Sequence, residues 1–136
     1  MLFRSVRARG DAYLDDVEPA DRGDLWRCAS LRAAGIPVAG SSDAPFGPAD
    51  PWLGMAAAVD RMTTSGRRLG PADALDPHAA LALYLGPLDA PGGPARRVAP
   101  GQCADLCLLD APLAEVLADL DARHVVATVL AGRLAV

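Results

Sequence analysis

The 136-residue chain contains no lysine and no asparagine, and all 13 of its basic residues other than histidine are arginines. Seventeen acidic residues outnumber them and give a formal net charge of −4. No basic stripe is present, which argues against nucleic acid and anionic membranes as main partners. No apolar run approaches the roughly 18–20 residues of a membrane span. The N-terminus also lacks the apolar core of a secretory signal peptide.

Cysteine and histidine are scarce, with three and two residues respectively. The three cysteines form no even-numbered disulfide framework, so we expect a reducing, cytoplasmic location. Cys103 and Cys107 fit no strong zinc signature, and with Cys28 they are interpreted as small core residues. His78 is predicted to face solvent in the first turn of a helix, and His124 to lie at the start of a strand. Their spacing matches no metal-ligand motif.

The residues that are present favour one globular domain with short elements. Apolar residues make up 51% of the chain and charged residues 22%, enough to bury a core. Twelve prolines break the chain often. Residues 1–20 show no sustained period and are interpreted as largely a polar loop. Residues 21–34 predict a helix that ends at Gly35, and residues 36–40 predict a short buried strand of the parallel type.

Two further helices are each predicted from a start signal that consists of an aspartate followed by a proline. Asp50 and Pro51 open a helix that is predicted to reach about Ser65, with an apolar stripe from Trp52 to Met62. A second helix is predicted from Asp76–Pro77 to about Leu85.

The last part of the chain changes period. Residues 87–97 have the composition of a linker, and strands are predicted at 105–110 and 125–131. One or two helical turns lie between them, at 113–120. A tight turn at Ala131–Gly132 would let residues 134–136 pair back as a hairpin. The order of elements predicts an α/β fold with a small β element at the end.

Asp43 is the best candidate for a functional residue. It lies one loop step past the C-terminal end of the predicted parallel strand, where α/β enzymes place ligands and catalytic groups. Its neighbours are small, which leaves the carboxylate uncovered. The alternative is that Asp43 is an ordinary turn residue. Ser41 and Ser42 lack the sequence context of an activated nucleophile.

Three segments match one family in order. The segment 31–52, LRAAGIPVAGSSDAPFGPADPW, resembles the barrel-closing segment of the metal-dependent amidohydrolases of the family 3 type. The segment 98–110, VAPGQCADLCLLD, resembles the family's PG-x-x-ADL-x-x-LD pattern. The segment 128–136, TVLAGRLAV, resembles its final T-x-x-x-G-R-x-V pattern. Together the resemblance covers about residues 10–136.

The resemblance implies a (β/α)8 barrel, of the TIM type, beside a small composite β-sandwich. Residues 1–97 would be the C-terminal part of the barrel, with strand eight and its following helices. Residues 98–136 would be the C-terminal strands of the sandwich. The chain thus resembles roughly the last quarter of such an enzyme.

The function implied is metal-dependent hydrolysis of carbon–nitrogen bonds in a small amide-like substrate. Asp43 matches the family's eighth-strand aspartate, which is both a metal ligand and a catalytic residue. The cofactor implied for the intact family is a divalent metal, zinc. The family's other ligands, including a His-x-His pair and a carboxylated lysine or acidic residue, have no match here. We therefore expect no metal bound to this chain alone, and no activity from it alone.

Other interpretations stay open. The chain would also fit a non-catalytic remnant or a protein-interaction module, or an unrelated α/β domain that matches by accident. Strands without their partners would expose their edges, so self-association is expected. The sequence does not specify which residues bind substrate.

Overall fold

The computed structural model describes residues 3–46 and 48–135. Four residues lie outside these ranges: Met1 and Leu2 of the segment interpreted as a loop, Gly47 of the segment 31–52, and Val136 of the predicted hairpin. The described residues form helices and a three-stranded antiparallel sheet, which agrees with the mixed α/β class. No helix in the described ranges is long and apolar enough to cross a membrane.

The elements follow one another along the chain as short segments. The helices are α1 (Arg4–Asp16), α2 (Cys28–Ala33), α3 (Pro51–Asp60), α4 (Pro77–Ala82) and α5 (Leu113–Ala118). The strands are β1 (Leu106–Leu109), β2 (Val125–Leu130) and β3 (Arg133–Ala135). Single turns of 3-10 helix lie at Arg22–Asp24, Pro71–Asp73 and Ala122–His124.

Helix α1 corrects the prediction of a loop near the N-terminus. Phe3, Val6 and Gly10 are buried, and Tyr13 packs at the edge of the core. These residues are three to four positions apart and form one buried face of the helix. The pattern is hard to recognise in the sequence because one member is a glycine and arginines lie between the others. A Cβ at Gly10 would lie 2.7 Å from Thr63 Cγ2, so α1 approaches the chain after α3 closely there.

The helix predicted over residues 21–34 is interrupted. A 3-10 turn is followed by Trp26 in the left-handed region, with φ 52°, and only then by α2. The predicted end is correct, since Gly35 has φ 75°. Ile36 N donates to Leu31 O at 3.0 Å, which closes the helix in a Schellman-type arrangement.

The strand predicted over residues 36–40 is wrong, because the described residues hold no strand there. A parallel strand forms only where a neighbouring strand supplies its ladder of hydrogen bonds. The strands of this structure pair with one another instead. The segment is fixed by other bonds, among them Gly40 N to Leu83 O at 2.9 Å.

The two helix starts marked by aspartate and proline are confirmed. The Asp50 carboxylate accepts from Trp52 N at 2.8 Å, and the Asp76 carboxylate accepts from Ala79 N at 3.0 Å. Both helices are shorter than predicted. Helix α3 ends at Asp60 because Arg61 adopts the left-handed conformation, with φ 57°.

The predicted strands near the C-terminus and the helical turn between them are confirmed. The strand order is β1-β2-β3, with Leu106 opposite Val129 and Val129 opposite Leu134. Ala131 and Gly132 form the turn between β2 and β3, and both have positive φ, as a type I′ turn requires. The side chain of Asp105 accepts from Ala131 N at 2.7 Å and stabilises this turn.

The core lies where α1, α3 and α4 pack together, with one side of α5 added. Its fully or nearly buried members are mostly small and aliphatic: Phe3, Val6, Cys28, Trp52, Met55, Ala57, Ala58, Leu69, Leu75, Ala80, Leu83 and Val116. Trp52 and Met55 confirm the predicted stripe on α3, and Cys28 confirms its predicted core position.

Asp11 joins α1 to the loop after α3. Its carboxylate accepts from Thr63 Oγ1 at 2.7 Å, from Ser65 Oγ at 2.6 Å and from Arg67 Nε at 3.0 Å. The serine and threonine hydrogen bonds hold the pKa of Asp11 well below its usual range, with Arg67 adding to them. A hydrogen bond to Asp15, at 2.8 Å, and then the bond to Asp11 raise the pKa of Arg67.

Arg61 is fully buried at the C-terminus of α3. Its guanidinium donates to Trp26 O and Leu25 O, each at 3.2 Å, and thereby fixes the segment that precedes α2. Burial lowers the pKa of Arg61, while the nearby carboxylate of Asp73 opposes that effect. Asp73 in turn accepts from Ser30 N at 2.8 Å, so both buried charges have partners.

Candidate functional site

Asp43 lies in a compact turn between α2 and α3. Its backbone is in the left-handed region, with φ 58°, a conformation that aspartate tolerates better than most residues. Asp43 N donates to Ser41 Oγ at 3.3 Å, and Ala44 N donates to Ser42 Oγ at 3.4 Å. Phe46 N donates to Asp43 O at 2.9 Å, which closes the turn.

The side chains around Asp43 leave it exposed. Asp43 and Ala44 are exposed, and Ser42 is half-buried. Phe46, at the end of the turn, is 81% exposed although it is a large apolar side chain. The carboxylate is therefore carried on a turn whose shape is set by local hydrogen bonds, and it is accessible from solvent.

The chain before Asp43 is anchored to the end of α4. Gly40, three residues earlier, donates its amide to Leu83 O at 2.9 Å. Further back, Pro37 packs closely on the loop after α4, since a Cβ at Gly92 would lie 2.7 Å from Pro37 Cβ. These contacts hold the segment that leads to Asp43 against the helical body.

The two histidines do not lie with Asp43 in the way a metal site needs. His78 is exposed in the first turn of α4, as predicted. His124 lies just before β2, also as predicted, and its two ring nitrogens face different carboxylates. Nδ1 is 2.8 Å from Asp110 Oδ1, and Nε2 is 3.4 Å from Asp119 Oδ2. Arg123 also forms a salt bridge with Asp119, so hydrogen bonds and this salt bridge link the ends of β1 and α5 to the start of β2.

A cleft of about 580 Å³ lies between the α3–α4 pair and β1. Trp52, Leu85 and Leu106 line it, together with both Cys103 and Cys107, which are exposed. The prediction that these two cysteines belong to the core is therefore wrong. Partial desolvation raises the pKa of the Cys107 thiol, which makes it a poorer nucleophile. Asp43 is not among the described residues that line this cleft.

Comparison with known families places the chain. The family model described as Amidohydrolase family, of the family 3 type expected from the three segments, matches residues 4–136. The chain belongs to the amidohydrolase family. The match covers nearly all of the chain and extends the resemblance seen in the sequence to the start of α1. No curated protein and no solved structure gives a significant match.

Amidohydrolases are generally metal-dependent, so the residues of this amidohydrolase chain can be tested against a metal. Across residues 3–46 and 48–135, no group of three or more His, Cys, Asp or Glu side chains lies close enough to hold a metal ion. Catalytic zinc sites usually need three protein ligands. The described side chains of this chain therefore do not fit a metal centre by themselves.

Sequence reasoning did not single out the residues that anchor the Asp43 segment. Tyr84, two residues after α4, packs against Gly40 and Gly54. The local sequence around these three residues contains no motif that predicts the contact. A pairing between residues 40 and 84 depends on how the helices pack, and no periodicity reports it. The only signal in the sequence was a pair of glycines at positions where a helix and a strand were predicted.

Proposed function

We propose that this amidohydrolase chain supplies one metal ligand, Asp43, to a hydrolase of carbon–nitrogen bonds in small amide-like substrates. The observation that carries the proposal is the family match over residues 4–136, which includes the Ser42-Asp43-Ala44-Pro45 segment. The metal would be divalent, with zinc as the first candidate.

The exposure of Asp43 supports this assignment. A carboxylate that is held on a locally ordered turn and reached from solvent is available to a ligand or to another polypeptide surface. The small residues of the turn, Ser41, Ser42 and Ala44, leave room around it. An aspartate that only capped a nearby amide would not need this access.

The remaining ligands would come from residues outside this sequence. The chain has no lysine and only two histidines, and neither histidine lies in a ligand motif. The proposal therefore includes the inactivity of the chain alone. It also includes the division of the chain into a barrel part, 1–97, and a sandwich part, 98–136.

The first experiment titrates the purified chain with zinc by calorimetry, comparing wild type with Asp43→Asn. We expect weak, non-stoichiometric binding in both, because one exposed carboxylate holds zinc no better than other surface carboxylates. A tight one-to-one site that Asp43→Asn abolishes would contradict the proposal, since the chain would then build a complete metal centre by itself.

The second experiment tests activity in a chimera. The C-terminal segment of an intact amidohydrolase is replaced by residues 4–136, and hydrolysis of its amide substrate is measured. Asp43→Asn should lower turnover by about two orders of magnitude or more, as expected for loss of a group that acts on the reacting centre. Asp89→Asn, an exposed loop aspartate, serves as the matched control and should leave turnover unchanged. Equal turnover with Asp43→Asn and wild type would reject the role of Asp43.

Exposed apolar residues on the sheet favour a second candidate function, that of a protein-interaction module. Leu106, Leu108 and Leu134 share one face of the sheet, and all are at least 40% exposed. Val126 and Leu130 are also exposed, on the other face. Apolar surface of this kind usually marks an interaction site, and β1 and β3 are the outer strands. We propose that the isolated chain self-associates through these surfaces.

A further inference from the structure

The ring of Tyr84 fills the space between two glycines. A Cβ added to Gly40 would overlap Tyr84 Cζ and lie 2.7 Å from Cε2. A Cβ added to Gly54, on α3, would overlap the hydroxyl oxygen of Tyr84. The Tyr84 side chain thus lies with its ring against the segment that leads to Asp43 and with its hydroxyl end against helix α3, and only glycine fits at both positions.

A backbone hydrogen bond joins the two segments that meet at the Tyr84 ring. Gly40 N donates to Leu83 O at 2.9 Å, and Leu83 immediately precedes Tyr84. Leu83 is itself buried, so the carbonyl that receives this bond belongs to a residue fixed in the core. Asp43 follows Gly40 by three residues, and its own turn is closed by bonds within 41–46.

The hydroxyl group of Tyr84 does not explain its presence at this position. The oxygen is buried and has no hydrogen-bond partner among the residues that the structure describes. Burial raises the pKa of Tyr84, with the carboxylate of Asp50 adding to the effect, so the side chain stays neutral. An unpartnered buried hydroxyl is unfavourable, and the contribution of Tyr84 therefore comes from the volume and flatness of its ring.

We propose that Tyr84 is a positioning residue, whose ring holds the 40–43 segment against α3 and α4 and so fixes the place of Asp43. This inference rests on the proposed function in one respect, because that function is what gives Asp43 its role. The contact itself stands on the packing of Gly40, Tyr84 and Gly54. Tyr84 touches no reacting group and acts through the backbone.

The test follows the Gly40 amide by hydrogen exchange and the Asp43 and Ala44 amides by their NMR shifts, in the full chain. Tyr84→Leu should speed exchange at Gly40 by about tenfold or more through local opening, and should move the Asp43 and Ala44 signals. Tyr84→Phe keeps the ring and should preserve both readouts. Leu69→Ala, at a fully buried site in the loop after α3, controls for general loss of stability and should leave the signals of Asp43 and Ala44 in place.

Two results would overturn the proposal. One is wild-type protection of Gly40 in Tyr84→Leu, and the other is an equal loss of protection and equal signal shifts in Leu69→Ala. If Tyr84→Leu fails to fold, Gly40→Ala provides the second variant, since its methyl group must displace the ring or the segment. Gly40→Ala alone should then speed exchange at residue 40 and move the Asp43 and Ala44 signals. Wild-type exchange and wild-type signals in Gly40→Ala would contradict the packing.

The chimera separates this proposal from the proposed function. If Asp43→Asn keeps full turnover there, Asp43 has no catalytic role, while the exchange result at Gly40 still stands or falls by itself. If both proposals hold, Tyr84→Leu should lower turnover and Tyr84→Phe should restore it. Turnover unaffected by Tyr84→Leu, together with sensitivity to Asp43→Asn, would reject positioning by Tyr84 alone.

Discussion

Arg61 and Leu69 exchange two hydrogen bonds. Arg61 Nε donates to Leu69 O at 2.8 Å, and Leu69 N donates to Arg61 O at 3.0 Å. Both residues are fully buried. This pair closes the loop after α3, while the rest of the same guanidinium reaches the segment before α2. One side chain therefore holds together three separate parts of the chain.

Replacing Arg61 by methionine should lower the free energy of unfolding by about 3 kcal/mol, because one buried and two partly buried carbonyl groups lose their donor. The measurement is urea unfolding at neutral pH. Arg68→Met, at an exposed neighbour, is the control and should stay within about 0.5 kcal/mol of wild type. Equal effects of the two changes would show that the Arg61 network does not stabilise the fold.

The Asp11 network predicts a dependence of stability on pH. The folded-state pKa of Asp11 lies below its unfolded value, so the stabilisation is present above about pH 4 and is lost as pH falls towards the folded pKa. Asp11→Asn should therefore be less stable than wild type at pH 7, and the difference should shrink below about pH 4.

Urea unfolding at several pH values checks this, with Asp16→Asn as the control, since Asp16 is exposed on the same helix. A gap between wild type and Asp11→Asn that stays constant down to pH 3 would refute the role assigned to these hydrogen bonds.

The backbone of Asp43 predicts an order of stability among its variants. Asn and Gly adopt positive φ readily, so Asp43→Asn should change the free energy of unfolding by no more than about 0.5 kcal/mol. Asp43→Ala should cost about 1 kcal/mol, because alanine at φ 58° is strained. Chemical denaturation of the wild type and these two variants measures the difference. If Asn destabilises as much as Ala, the carboxylate itself has a structural role, and its loss could not be read as loss of chemistry alone.

Self-association predicts a concentration-dependent sedimentation profile for the isolated chain. Replacing Leu108 and Leu134, which are 58% and 68% exposed on one sheet face, by threonine should shift the profile towards monomer. Phe46→Ser removes an even more exposed apolar side chain from a loop and should leave the profile unchanged. A sharp monomer with a cooperative thermal transition in the wild-type chain would contradict association.

The sequence by itself determined the elements that local interactions build. At the starts of α3 and α4, the aspartate side chain accepts a hydrogen bond from a backbone amide two or three residues later. The β2–β3 hairpin needs only its alternating pattern and a two-residue turn. The three segments that resemble the family could also be recognised from the sequence, because each motif consists of residues close together in the chain.

Only the tertiary structure decided the rest, because those features depend on partners far away in the chain. The sequence of the 36–40 segment predicts a strand, but the described residues offer it no neighbouring strand, and Gly40 bonds to Leu83 instead. Arg61 falls inside a predicted helix, yet it is buried and donates to Leu69 O nearby and to the distant carbonyl groups of Leu25 and Trp26. Tyr84 gains its position from two glycines, 44 and 30 residues away, and no local pattern encodes contacts at that distance.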